Sequence, residues 1–282
     1  MASLVYQRGF TLIEMVMVIV ILGIVGGMVA VFMKSPIDAY FASARRAGLT
    51  DVADTTVRRM ARDIQRALPN SLITPNNQCI EFIATKTGAR YRESDITPGD
   101  GTALDFISVD NQFNMLGNNN ELPPDQRIAV GDVLVVYNLG IPGSNAYQQD
   151  NTATVTAVGT PTVSPSVETP ITTTTTRTTP LLLASDSKRF QVVPANESII
   201  SYVCSAGNLR RTTRPLDAFG AVTPSATCPA SGPILARNLS LCSFDYSGSD
   251  LARNALVRLV IQITESQETV SLQQEIHMSN TP

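Results

Sequence analysis

GFTLIEMVMVIVILGIVGGMVAVFM, residues Gly9 to Met33, decides what the rest of the chain can be. Nineteen residues between Glu14 and Lys34 carry no charge and are rich in Val, Ile, Met and Leu. As a helix, such a run is about long enough to cross a ~30 Å hydrocarbon core. Glu14 stands at its edge, four residues beyond Phe10. A charged side chain in lipid costs on the order of 3 kcal/mol, so this carboxylate is a functional candidate. If the chain is cut before Phe10, the helix begins with a free ammonium among unpaired, electropositive N–H groups. Glu14, on the same chain or on a neighbour, is then a natural counter-charge. The plainer alternative places Glu14 at the lipid headgroups.

Gly9-Phe10-Thr11-Leu12-Ile13-Glu14 and the long apolar helix are similar to the class III signal of type IV pilins and type II secretion pseudopilins. The resemblance implies cleavage by prepilin peptidase after Gly9, methylation of the new amine on Phe10, and Glu14 as the assembly carboxylate. It implies other pilins and the bacterial inner membrane as partners. The leader Met1–Gly9 would lie in the cytoplasm, the helix would cross the inner membrane once and the head would lie in the periplasm, later in a pilus or pseudopilus. Gly23 falls where pilins carry a helix-softening glycine. Val31 stands where they carry a proline, with Pro36 five residues later.

Outward from this stretch, Ile37, Phe41, Ala44, Gly48 and Val52, then Val57, Met60, Ile64 and Leu68, recur at steps of three to five. That spacing predicts an amphipathic continuation of the helix over 37–69. From Phe10 to Leu68 a straight helix would be roughly 90 Å long at 1.5 Å per residue. Arg58, Arg59, Arg62, Asp63 and Arg66 fill its other face, with Asp54–Arg58 and Arg59–Asp63 spaced for weak pairing. Pro69-Asn70-Ser71 predicts the stop.

Beyond Cys79 the pattern changes to short β-runs: Cys79–Ala84, Ala103–Val109, Val133–Leu139, Phe190–Val193 and Ile199–Cys204. Val257, Leu259, Ile261 and Ile263, then Val270, Leu272, Ile276 and Met278, alternate with polar residues about a turn at 265–268, which predicts a hairpin. Residues 151–180 are rich in Thr and Pro and read as an extended, exposed excursion separating 70–150 from 181–282. The expected fold is α+β and type IV pilin-like: leader 1–9, membrane helix 10–36, amphipathic half 37–69, and an antiparallel β-sheet head over 70–282 packed on the helix.

Ala67-Leu68-Pro69-Asn70-Ser71, Cys79-Ile80-Glu81-Phe82 and Ala89-Arg90-Tyr91 also resemble the O-type minor pilin of mannose-sensitive haemagglutinin pilus biogenesis. More broadly, the chain is similar to the large J-type pseudopilins and W-type minor pilins, which prime or cap filaments.

Cys79, Cys204, Cys228 and Cys242 are an even number, which in an exported domain suggests disulfides. Of three possible pairings, Cys204–Cys228 with Cys79–Cys242 is favoured, because the first would close a Gly- and Arg-containing loop. Zinc is disfavoured by the spacing. Asp95, Asp100 and Asp105 around Gly99 and Gly101 could line a calcium loop, although a solvated turn fits better. The single histidine, His277, falls on the polar side of the last strand. Net charge −3 gives no sign of nucleic-acid binding. No phosphate loop or nucleophile elbow is present. The expectation is a non-enzymatic subunit without a cofactor. A J-type pseudopilin and a membrane-anchored binding module or adhesin are the alternatives.

Overall fold

The computed structural model describes residues 9–163, 166–174, 180–216, 228–246, 254–279 and 281–282. The first eight residues of the leader lie outside this set, as do Thr175 and Thr176 of the Thr-rich run. The chain divides into two compact units at Thr50/Asp51. One helix, α1 (Leu12–Gln65), includes Pro36 without interruption.

Within the first unit the side chains from Leu12 to Met33 are open to the surroundings, as a lipid- or partner-facing segment requires.

In the second unit Ala53, Val57, Met60 and Ile64 of α1 are buried against the head, at steps of three and four. Ile37, Phe41, Ala44, Gly48 and Val52, expected on the buried stripe, are exposed, so of that stripe only Val57, Met60, Ile64 and Leu68 are buried. The helix ends earlier than its proline suggests. Arg66 and Ala67 N–H groups turn back to the Asp63 and Ile64 carbonyls, tightening the last turn. Leu68 N–H then goes to the Ile83 carbonyl at 2.7 Å, and Arg66 C=O accepts from Thr85 N–H. A strand thus captures the backbone before Pro69 is reached.

A five-stranded antiparallel sheet forms from β1 (Ile73–Asn76), β2 (Cys79–Ile83), β9 (Ile199–Ser205), β10 (Asn208–Arg214) and β11 (Ile234–Ala236), in the order β1-β2-β9-β10-β11. Between β2 and β9 the chain makes a closed six-stranded barrel: β3 (Thr87–Tyr91), β4 (Gln112–Leu116), β5 (Val133–Val136), β6 (Thr152–Val158), β7 (Glu168–Thr174) and β8 (Arg189–Val193). A three-stranded sheet of β12 (Leu239–Tyr246), β13 (Asn254–Glu265) and β14 (Glu268–Ser279) completes the head. The last two strands are the expected hairpin, joined through Ser266 and Gln267, both at positive φ.

β5 shows why a continuous apolar run can be a strand here. Leu134 and Val136 point into the barrel with Phe113, Ile171 and Phe190. Val133 and Val135 point out, against Leu68, Ile83, Ile199 and Tyr147. Both faces are buried, so alternation disappears.

Two expectations are corrected. Ala103–Val109 is not a strand: Asp105 accepts from the Ile107 and Ser108 N–H groups and holds the segment in a turn. Within 151–180 the described residues are not simply an exposed excursion, since β6 and β7 are barrel staves. Thr169 and Ile171 are fully buried. The Thr169 hydroxyl donates to the Gly117 carbonyl and accepts from Asn119 N–H, so burying it leaves no unpaired group. Pro170 is tolerated beside the place where β6 ends, its carbonyl accepting from Gly159 N–H at 2.8 Å. The division of the head is therefore a barrel inserted between β2 and β9, rather than two halves flanking a linker.

Candidate functional site: the helix start and its anchored head

Thr11 immediately precedes α1, and its carbonyl accepts from Met15 N–H. The Thr11 hydroxyl accepts from Glu14 N–H at 3.3 Å, while a Glu14 carboxylate oxygen accepts from Thr11 N–H at 3.2 Å. This reciprocal pair is a capping box, satisfying two of the donors a helix start leaves open. Glu14 therefore has a structural role in its own chain in addition to any charge it meets in a neighbour. The signal, Thr-x-x-Glu ahead of an apolar run, is legible in the sequence, yet the reading of Glu14 as a counter-charge passes over it. Gly9 and Phe10 are exposed just before the cap, the position a processing site requires.

At its other end the helix is locked to the sheet by an ionic cluster. Asp63 accepts from the Tyr202 hydroxyl of β9 at 2.6 Å and from Arg211 Nε of β10 at 2.9 Å. Arg211 reaches on to Glu197 at 2.9 Å. Burial and the Asp63 carboxylate push the Tyr202 hydroxyl far above the ordinary tyrosine range. The expected Arg59–Asp63 pair is displaced by these partners, whereas Arg58–Asp54 forms on the exposed face.

The joint after the helix is held by the Leu68–Ser71 stretch. Asn70, at φ 58°, donates its side-chain amide to the Asn138 carbonyl, and Asn138 returns the bond to the Pro69 carbonyl. The Ser71 hydroxyl donates to Leu68 C=O and accepts from Ile83 N–H. Glu81 of β2 is fully buried and is satisfied by Arg214 Nη2 and the Ser201 hydroxyl, each at 2.7 Å. In the barrel, Glu168 is held by Arg92, Ser166 and Asn114; the Arg92 guanidinium lowers its pKa to about 2 against the opposing effect of burial.

The disulfides are Cys79–Cys228 and Cys204–Cys242, which corrects the favoured pairing. The reason is the pleat. Cys79 pairs across the ladder with Val203, so both point to one face of the sheet, where Cys228 lies. Cys204, one residue on, points to the other face, where β12 brings Cys242. Adjacent strands thus present their cysteines in opposite directions, and Cys204 cannot reach Cys228.

The aspartate-rich loop is self-contained. Asp95 accepts from Gly99 and Ala103 N–H groups, and Asp100 from those of Thr97 and Thr102. Among the described residues no three His, Cys, Asp or Glu side chains gather in a way that could hold a metal. His277 is exposed, on the polar side of β14. A small cavity in the barrel, lined by Phe113, Leu134, Phe190, Asn151 and Thr173, has about 20 Å³, room for one water.

Residues 5–30 match the family model described as the prokaryotic N-terminal methylation motif. This is a type IV pilin-like prepilin signal, and it covers Gly9, Phe10 and Glu14. No curated protein matches the chain. No solved structure does either.

Proposed function

We propose that the protein is a minor type IV pilin, trimmed at Gly9–Phe10, that joins or primes a filament or its tip complex. The observation that carries this reading is the prepilin signal on a capped helix that carries Glu14 in its first turn and no further charge before Lys34. Cleavage frees the Phe10 amine one helical turn from Glu14, so the precursor's cap becomes a charged pair available to neighbouring helices. The exposed apolar surface of Leu12–Met33 is the surface that lipid holds before assembly and sister helices hold afterwards. Two disulfides suit an oxidising periplasm. The role is structural rather than enzymatic, with prepilin peptidase and other pilins as partners.

Within that class the finer reading is the mannose-sensitive haemagglutinin type. Its support is the Ala67–Ser71, Cys79–Phe82 and Ala89–Tyr91 stretches, which lie just after the helix, in β2 and in β3.

The test is expression in a host with and without prepilin peptidase. The mature mass should lack the first nine residues and carry one extra methyl only when the peptidase is active. Glu14→Ala should remain in the membrane but be lost from filaments. An uncut chain beside an active peptidase, or full incorporation of Glu14→Ala, overturns the proposal. Co-purification with the other minor subunits of a pilus, rather than of a type II secretion system, identifies the filament.

A further inference from the structure

Among the described residues the head has four sheet edges, and they are not alike. β1 is four residues long, contains Pro75 and shifts register against β2. β11 has three residues. β12 has a register shift and is tied by Phe244 N–H to the Asn77 carbonyl and by Leu239 N–H to that of Gly207. Short length, proline, bulges and cover are the usual devices that keep an edge from pairing. β14 has none of them. It pairs with β13 over twelve unbroken residue pairs, contains no proline or lysine, and has no strand on its other side among the described residues.

The register says which groups lie on that edge. Glu265 and Glu268 flank a two-residue turn and so form the closing, mutually bonded pair. Bonding then alternates, so Thr269, Ser271, Gln273, Glu275, His277 and Ser279 direct their N–H and C=O groups away from β13. The Gln274 side-chain amide folds over to the Glu275 carbonyl, as expected of an acceptor on an open edge.

Side chains across the sheet define what would pair there. Asp245, Arg258 and Glu275 are aligned across three strands as acid, base, acid, and Arg258 bonds Glu275 at 3.2 Å. The next position in this ladder calls for a base. On the opposite face Leu272 and Val270 are half-buried and extend the rows led by Ile261 and Ile263. We infer that the outer edge of β14 accepts an antiparallel extended strand of another polypeptide, with a basic residue opposite Glu275 and apolar residues opposite Leu272 and Val270. Those apolar residues fall three and five positions after the base, the pattern β13 itself presents with Arg258, Ile261 and Ile263. Backbone bonds supply the grip and alternate side chains the selectivity.

This inference does not depend on the pilin reading, and its test uses the full chain in detergent. The probe is a labelled, end-blocked eight-residue peptide with Arg at its second position, Ile at its fifth and seventh, and Thr or Ser elsewhere. It should bind and slow amide exchange at Thr269, Ser271, Gln273 and Glu275. Gln273→Pro removes only an outward N–H, and should weaken binding by about tenfold. Wild type should prefer the Arg peptide to its Gln counterpart by about two- to fivefold, and Glu275→Gln should abolish that preference. Three outcomes overturn the inference: two are no slowing of those amides and Gln273→Pro binding as tightly as wild type. A third is self-association abolished by Gln273→Pro, which would assign the edge to a second copy of this chain.

Discussion

Cys228→Ser distinguishes the observed disulfide pairing from the alternatives with one substitution. In the structure its loss leaves the Cys79 thiol free and Cys204–Cys242 intact. If Cys204 were the partner of Cys228, the free thiol would be Cys204 instead. Alkylation of the folded, unreduced variant followed by peptide mass mapping identifies which cysteine is labelled. The energetic consequence follows from chain entropy, which rises with the logarithm of the loop closed. Cys79–Cys228 spans 149 residues and Cys204–Cys242 spans 38. Opening the first as Cys79→Ser/Cys228→Ser should cost about 5 kcal/mol, and opening the second about 4 kcal/mol, each before any change in native packing. Cys79 and Cys228 are also buried together with Val203, so the larger loss has a packing contribution that adds to it. Urea titrations of the two double variants, followed by circular dichroism, give the order. Labelled Cys204 in the single variant, or a second double variant clearly less stable than the first, would refute the reasoning.

Asp63→Asn should leave the Tyr202 hydroxyl and Arg211 without their shared acceptor charge and destabilise the head by about 2 kcal/mol. A midpoint in urea unchanged from wild type would show that the lock is ornamental. Glu168 supplies a pH dependence whose sign is fixed. Its pKa is depressed to about 2 in the folded state, so its contribution is complete above the ordinary range near 4.5 and is lost as pH falls toward 2. Glu168→Gln should therefore narrow its deficit against wild type between pH 4.5 and pH 2. Equal deficits at both ends would count against the Arg92 pairing as its cause.

Residues 9–33 carried most of what was legible beforehand. An uncharged run this long is confined to lipid or to a helical core by solvation alone, and the Gly-Phe junction and Glu14 lie within a few residues of each other. The final hairpin was equally readable, because one wet face and one dry face impose alternation on Val257–Ile263 and Val270–Met278. Both are local patterns, decided by neighbours in the chain.

Long-range pairing decided the remainder. Whether Thr169 and Ile171 meet water depended on β4 and β6 closing around them, and a Thr/Pro composition says nothing about that closure. The helix gave up its last turn because β2 offered Leu68 a better acceptor. Asp63 abandoned Arg59, four residues away, for Tyr202 and Arg211, which are more than a hundred residues distant in sequence. The cysteines were paired by which side of the pleat each faced once β2 lay beside β9, a one-residue offset with opposite consequences for Cys79 and Cys204. Sequence determines a segment's own periodicity and charge; which segments become neighbours is settled only when the whole chain shares one core.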